Sequence, residues 1–269
     1  MSTDRLADPS LSVIIIGAGN VGTHIARRLD GKVNILQIYS RDIRNAVEVA
    51  QSLENKPDAI DSLCEVRAGA DMYIVAVKDD VIAEVAAQLP EIGRGVVVHT
   101  SGSAPDDALA RADLRHGVLY PLQTFSKEKD VDWSEITVFT SACDNDALAM
   151  ADRVGRMLGG KVCRINGEKR SQLHVAAVFA CNFVNYMWIK SAEILHACDC
   201  DLSVLAPLLK ETLGKALSTS PERAQTGPAR RGDIHIIDRH TSMLGNDEDA
   251  ELYRLLSDAI MKHFNKEKI

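Results

Sequence analysis

Between residues 11 and 165 the chain alternates two textures. Short apolar runs, rich in β-branched residues, recur at Ser12–Ile16, Asn34–Tyr39, Met72–Val77, Gly95–Thr100, Gly117–Tyr120, Ile136–Thr140 and Lys161–Ile165. Helical patterns lie between them and predict helices at Val21–Leu29, Ile43–Leu53, Val81–Gln88, Pro105–Arg111 and Asp146–Leu158. A further strand before Ala59-Ile60 has no clear limits in the pattern. Strand–helix alternation of this kind predicts an α/β fold, a doubly wound, Rossmann-like parallel sheet. After Asn166-Gly167 the strand-like runs stop. Long helical patterns cover Glu168–Ala197, Leu202–Leu217 and Glu248–Phe264. The pattern therefore predicts two domains, residues 1–166 and an all-helical 167–269.

The first strand leads straight into Gly17-Ala18-Gly19-Asn20-Val21-Gly22, and a helix follows. Each glycine of this G-x-G-x-x-G spacing has a mechanical role. Gly17 permits the tight turn, Gly19 lets a pyrophosphate approach the backbone, and Gly22 lets the helix pack close to the strand. The helix start at Asn20 and Val21 offers free N–H groups and a positive dipole end to phosphates. The stretch predicts a dinucleotide site; its bland alternative is a tight turn that binds nothing.

Roughly 20 residues beyond the glycines, at the end of the second strand, an NAD site carries an acidic residue for the ribose 2′-hydroxyl. Here Tyr39-Ser40-Arg41 stands in that place. A hydroxyl and a permanently charged guanidinium fork suit a 2′-phosphate instead. NADP is the expected cofactor, with the charge of Asp42 as a complication. Ligands of such sheets bind at the carboxyl ends of the strands, so Val77 and Lys78 are expected to border the cofactor. Asp79 and Asp80 read as caps of the helix that follows.

Composition narrows the classes. The 269 residues carry a net charge of −7, which argues against a nucleic-acid-binding surface. No apolar run reaches membrane-spanning length, and the polar start at Met1–Ser10 does not read as a signal peptide. The reading is a cytoplasmic protein that engages neither nucleic acid nor membrane. The six cysteines are scattered, without metal-ligand or C-x-x-C spacing, and read as reduced and mostly buried thiols. No metal is expected.

Polar patches fall where the sheet opens to ligand. His99-Thr100-Ser101-Gly102-Ser103-Ala104-Pro105 ends the fourth clear strand. Capping of the next helix accounts for Ser103 but not for His99 or Ser101. Those two, with Gly102, are candidates to hold a substrate carboxylate or carbonyl. Gln123 and Thr124, after Tyr120-Pro121-Leu122, border the same edge. On the long helix, His174 and Asn182 are eight residues apart and share one face, and Asn185 lies beside Asn182. Gln225–Asp233 reads as a Gly/Pro/Arg loop between helices, from which Arg230 is placed to meet an anionic ligand. His235 and His240 fall on a helix and carry no assigned role.

With these residues in hand, the chain resembles the two-domain oxidoreductases that join a Rossmann-like domain to a helical C-terminal domain of unknown function. The glycine turn, His99–Ser103, Tyr120–Phe125, Phe179–Phe183 and Thr226–Asp233 carry the resemblance. More remotely it is similar to pyrroline-5-carboxylate reductase, ketopantoate reductase and the β-hydroxyacid dehydrogenases. Those families place substrate on a polar strand end, matching Ser101, and a catalytic lysine on the second-domain helix, followed in register by asparagine. That register falls here on His174, Val178 and Asn182, so lysine is absent. The resemblance implies NADP(H)-dependent oxidoreduction of a small carboxylate-bearing carbonyl, hydroxyl or imine compound. His174 would be the acid/base, Asn182 and Ser101 would position the reacting group, and His99, Gly102, Gln123, Asn185 and Arg230 would bind substrate. It also implies a homodimer. The rival expectation is an NADP(H)-binding sensor without turnover, which the missing lysine favours.

Overall fold

The structure, a computed structural model, describes residues 7–111 and 114–265. The chain forms two compact units, one ending at Cys181 and one beginning at Asn182.

The first unit runs β1 (Ser12–Ile16), α1 (Asn20–Leu29), β2 (Asn34–Tyr39), α2 (Ile43–Ser52), β3 (Asp58–Ile60), β4 (Met72–Val75), α3 (Ile82–Gln88), β5 (Val96–His99), β6 (Arg115–Pro121), β7 (Thr137–Ala142), α4 (Asn145–Leu158), β8 (Lys161–Arg164) and α5 (Gly167–Ala177). The strands form one sheet in the order β3-β2-β1-β4-β5-β6-β7-β8. β1 stands at the reversal of strand order, with β2 on one side and β4 on the other, both parallel to it.

Residues 13–16 of β1 are fully buried. Alternate side chains point into two apolar layers. Val13 and Ile15 meet α1, α2 and α4 through Ile25, Leu29, Val49 and Val154. Ile14 and Ile16 meet α3 through Ile82 and Val85. A strand covered on both faces needs the unbroken apolar run that the sequence shows, and each fully buried Ile contributes about 1.5–3 kcal/mol over an exposed one.

Two local expectations change. β7 runs antiparallel to β6, because the connection over 122–136 contains no helix, and a return without a crossover reverses direction. The helix expected at Pro105–Arg111 is a pair of turns, with Ala108 N–H donating to Pro105 and Ala110 N–H to Asp107. Side chains hold the residues ahead of it and take two carbonyls that its first turn would use. Ser101 Oγ accepts from the N–H groups of Ser103 and Ala104, His99 Nε2 bonds the Pro105 carbonyl, and Arg170 donates to the Ala104 carbonyl. Competition of this kind diverts a backbone from helix.

The long helix after residue 166 is present, with a π-helical turn at Val178–Phe183 between α5 and α6 (Val184–His196). The 3.6-residue register assumed for His174 and Asn182 does not run through this turn.

The second unit continues with a 3₁₀ turn at Leu202–Leu205, α7 (Ala206–Ser218), α8 (Pro221–Ala224), α9 (Pro228–Arg231), α10 (Ile234–Met243) and α11 (Asp247–Asn265). The expected Gln225–Asp233 loop thus contains one helical turn, started by Pro228 and stopped by left-handed Gly232. Ala229, Ile237, Ala250 and Phe264 are buried, while Leu208, Leu213, Leu217, Met243 and Leu255 are more than half exposed. The cysteines correct the expectation of burial. Cys163 is half-buried and the other five are exposed, all six outside disulfides: Cys163 lies on the edge strand β8, Cys181 in the π-helical turn, and the others in or beside turns and bends.

Candidate functional site

A cleft of about 790 Å³ opens at the carboxyl ends of β1, β2 and β4, at the reversal of strand order where doubly wound sheets bind ligand. Gly17 has φ +122°, and a Cβ there would collide with the Ala76 carbonyl. A Cβ on Gly22 would collide with the Gly17 carbonyl. These two glycines make the turn and bring α1 against it. Gly19 differs: a Cβ there meets nothing within 4 Å, so its bare backbone faces the open cleft. Asn20 and Val21 carry the cleft wall into the first turn of α1.

Ser40 and Arg41 line the cleft at the end of β2. Among the described residues the Arg41 guanidinium makes no hydrogen bond or ion pair. The Asp42 carboxylate is taken up elsewhere: Arg44 donates to it from Nε at 3.0 Å, from Nη2 at 2.7 Å and from its backbone N–H at 3.1 Å. These hydrogen bonds hold the Asp42 carboxyl below its ordinary range and leave Arg41 free to meet an anion. Val77 and Lys78 form the opposite wall. Neither aspartate after them caps α3. Asp79 and Asp80 lie in a 3₁₀ turn, and Asp79 accepts the Ser103 hydroxyl. Thr100, Asn45 and Lys127, which sequence reading did not select, also line the cleft.

One residue beyond Thr100 begins a polar cluster at the ends of β5 and β6. His99 is fully buried. Its Nδ1 accepts the Ser101 N–H at 3.2 Å and its Nε2 bonds the Pro105 carbonyl at 3.3 Å. Burial first, and the Arg170 charge second, depress its pKa to about 4. His99 is therefore a neutral brace of the loop, both ring nitrogens engaged. Ser101 Oγ accepts two backbone N–H groups, and among the described residues its own proton has no acceptor.

His174, half-buried in the last turn of α5, reaches this loop. Its Nδ1 lies 3.1 Å from the Tyr120 hydroxyl, and its ring occupies the space a Gly102 side chain would need. Arg170, four residues earlier on α5, is fully buried. It pairs with Asp106 and donates to the Ala104 carbonyl, and its Nε has no partner among the described residues. Arg170 is buried while the Asp106 side chain is half-exposed, and the pair together with the Ala104 carbonyl ties α5 to the loop. Sequence reading missed Arg170 and Tyr120 as site residues. The one available signal was the four-residue spacing of Arg170 and His174 on a helix.

Gln123 is exposed and its side-chain carbonyl accepts the Thr124 N–H at 2.7 Å. Asn182 and Asn185 are exposed residues of the second unit. Arg230, also in that unit, stacks its guanidinium 4.0 Å over the Phe264 ring.

Residues 12–101 match the family described as NADP oxidoreductase, coenzyme F420-dependent, and residues 136–260 match the domain of unknown function DUF2520. A Bacteroides fragilis protein provisionally named NADP oxidoreductase is 36% identical in sequence, with a TM-score of 0.86 over 94% of this chain and 99% of that one. A reductive aminase from Aspergillus terreus, crystallised with NADPH and ethyl-5-oxohexanoate, shares the fold at 12% identity and TM-score 0.62, covering 96% of this chain and 92% of its own. A pyrroline-5-carboxylate reductase from Coxiella burnetii does so at 14% identity and TM-score 0.54, covering 96% and 94%. No protein of curated function matches the chain.

Proposed function

The chain belongs to the NADP oxidoreductases that pair a Rossmann-like domain with this helical domain of unknown function, and from that premise we propose that it reduces or oxidises a small carbonyl, hydroxyl or imine compound bearing a carboxylate. NADP is its cofactor, and the residues of the cleft fit it. The bare Gly19 backbone and the start of α1 would receive the pyrophosphate, Ser40 and Arg41 would receive the 2′-phosphate, and Val77 and Lys78 would border the cofactor. When bound, the cofactor supplies or accepts the hydride.

One observation carries the catalytic reading: the Ser101–Gly102–Tyr120–His174 cluster starts one residue past Thr100, a cleft wall. The Ser101 hydroxyl, without an acceptor among the described residues, donates a hydrogen bond that positions the reacting oxygen or nitrogen. His174 gives or takes the proton, in the register where more remote families carry lysine. His99 and Gly102 shape the floor of the substrate site. Gln123, Asn182, Asn185 and Arg230 are assigned to the substrate from the sequence alone. The proposal places the domain boundary at residue 166, where the helical part begins, and takes the working protein to be a homodimer.

The test is NADPH consumption across a panel of 2-oxo acids, semialdehydes and cyclic imino acids. His174→Ala should lower turnover on the responsive substrate by about 10²–10⁴-fold, the range of a positioned acid or base, with NADPH affinity unchanged. Tight NADPH binding with no turnover across the panel would overturn the enzyme reading in favour of a sensor.

A further inference from the structure

Tyr120, the last residue but one of β6, is 8% exposed. Its hydroxyl lies 3.1 Å from His174 Nδ1, and the two rings meet edge to face with centroids 6.0 Å apart. Among the described residues the hydroxyl has no other partner. A buried O–H requires an acceptor. The phenol keeps its proton, because burial raises its pKa further above neutrality. Nδ1 is the acceptor within reach, and a ring nitrogen that accepts carries no proton. The proton of the neutral imidazole then resides on Nε2, which makes no hydrogen bond among the described residues.

Gly102 makes the pairing possible. A Cβ there would stand 2.5 Å from His174 Nδ1 and 2.8 Å from Tyr120 Cζ. Even an alanine would push the imidazole off the phenol.

We propose that Tyr120 is the positioning residue of this site: its hydroxyl donates to His174 Nδ1 and locks the imidazole in the Nε2–H tautomer, in a space that Gly102 keeps open. The use of that proton rests on the oxidoreductase reading; the tautomer does not. In the direction of reduction, the alkoxide formed from a carbonyl takes the Nε2 proton while Nδ1 takes the Tyr120 proton. An alkoxide is far more basic than a phenolate, so the transfer runs downhill. Solvent then returns a proton to Nε2, and Nδ1 returns its own to the Tyr120 oxygen. Both groups end as they began.

The tautomer is read by long-range ¹⁵N–¹H correlation on ¹⁵N-histidine-labelled protein at neutral pH without substrate. The His174 signals are identified by their loss in His174→Gln. Wild type should show one tautomer, Nε2–H. Tyr120→Phe should lose that single signature and show a mixture. Gly102→Ala should do the same while circular dichroism stays that of the wild type, and it carries the test if Tyr120→Phe does not fold. A wild-type His174 that is mixed or Nδ1-protonated, or a spectrum unchanged in the folded variants, overturns the proposal. NADPH titration of the same samples separates the two readings. Intact affinity with a lost tautomer supports the positioning role. Absence of NADPH binding in wild type strikes the oxidoreductase reading and leaves the tautomer to be judged by its own signals.

Discussion

Arg41 and His99 show how much a single side chain's surroundings decide. Among the described residues Arg41 is left unpaired, because Arg44 claims the neighbouring Asp42. A guanidinium kept free beside a hydroxyl favours a 2′-phosphate. Arg41→Ala should weaken NADPH binding by about 1–3 kcal/mol, the scale of hydrogen bonds to a charged group, and leave NADH nearly unchanged. Fluorescence titration with both nucleotides checks this, and equal losses for the two would refute the assignment. His99 makes a different prediction. Its folded pKa of about 4 lies below the ordinary value of about 6.5. Between those values the unfolded chain holds a proton that the folded chain does not, so stability rises with pH. The contribution is complete above pH 6.5 and is lost as pH falls towards 4, on the order of 3 kcal/mol in all. Urea unfolding at a series of pH values should show this slope in the wild type and a shallower one in His99→Gln.

At the scale of elements, the turn from β1 into α1 divides its work among three glycines. Gly17 and Gly22 are needed by the fold, since a side chain on either strikes backbone. Gly19 is not needed by the fold, since a Cβ there meets nothing within 4 Å, and its proposed role is toward the ligand. Gly19→Val should therefore fold with the wild-type circular dichroism and thermal midpoint, yet lose dinucleotide binding, because the branched side chain fills the place of the pyrophosphate. Undiminished affinity in that variant would show that the turn holds no phosphate. The loop after β5 is built in the opposite manner. Side chains from β5, from the loop and from α5 occupy its backbone groups and replace the expected helix with a polar ledge, over which the last turn of α5 carries His174.

At the scale of the whole molecule, the second unit leaves Leu208, Leu213 and Leu217 of α7 and Leu255 of α11 more than half exposed. Apolar exposure concentrated on a few helices marks an interaction surface, and the proposed occupant is a second copy of the chain. Sedimentation equilibrium should return twice the chain mass. Leu213→Glu with Leu217→Glu should return the monomer mass, and a monomeric wild type would refute the assignment. Among the described residues no helix is long and apolar enough to cross a membrane.

What the sequence determined by itself is local or periodic. The glycine turn, the strand–helix alternation, the NADP-favouring Ser40-Arg41 and the change of texture at residue 166 are each legible within about 20 residues, because backbone sterics and periodicity act over that range. Most strands and helices lie within a few residues of their expected limits for the same reason. The tertiary structure decided what depends on distant pairs. Tyr120 and His174 are 54 residues apart, and Arg170 and Asp106 are 64 apart. No local pattern encodes such a meeting. The same is true of the lost Pro105–Arg111 helix, whose backbone groups are claimed in part by Arg170 on a helix far along the chain. His174 could be singled out from sequence, but the group that holds its proton in place could not, because that group becomes its neighbour only when β6 and α5 pack together.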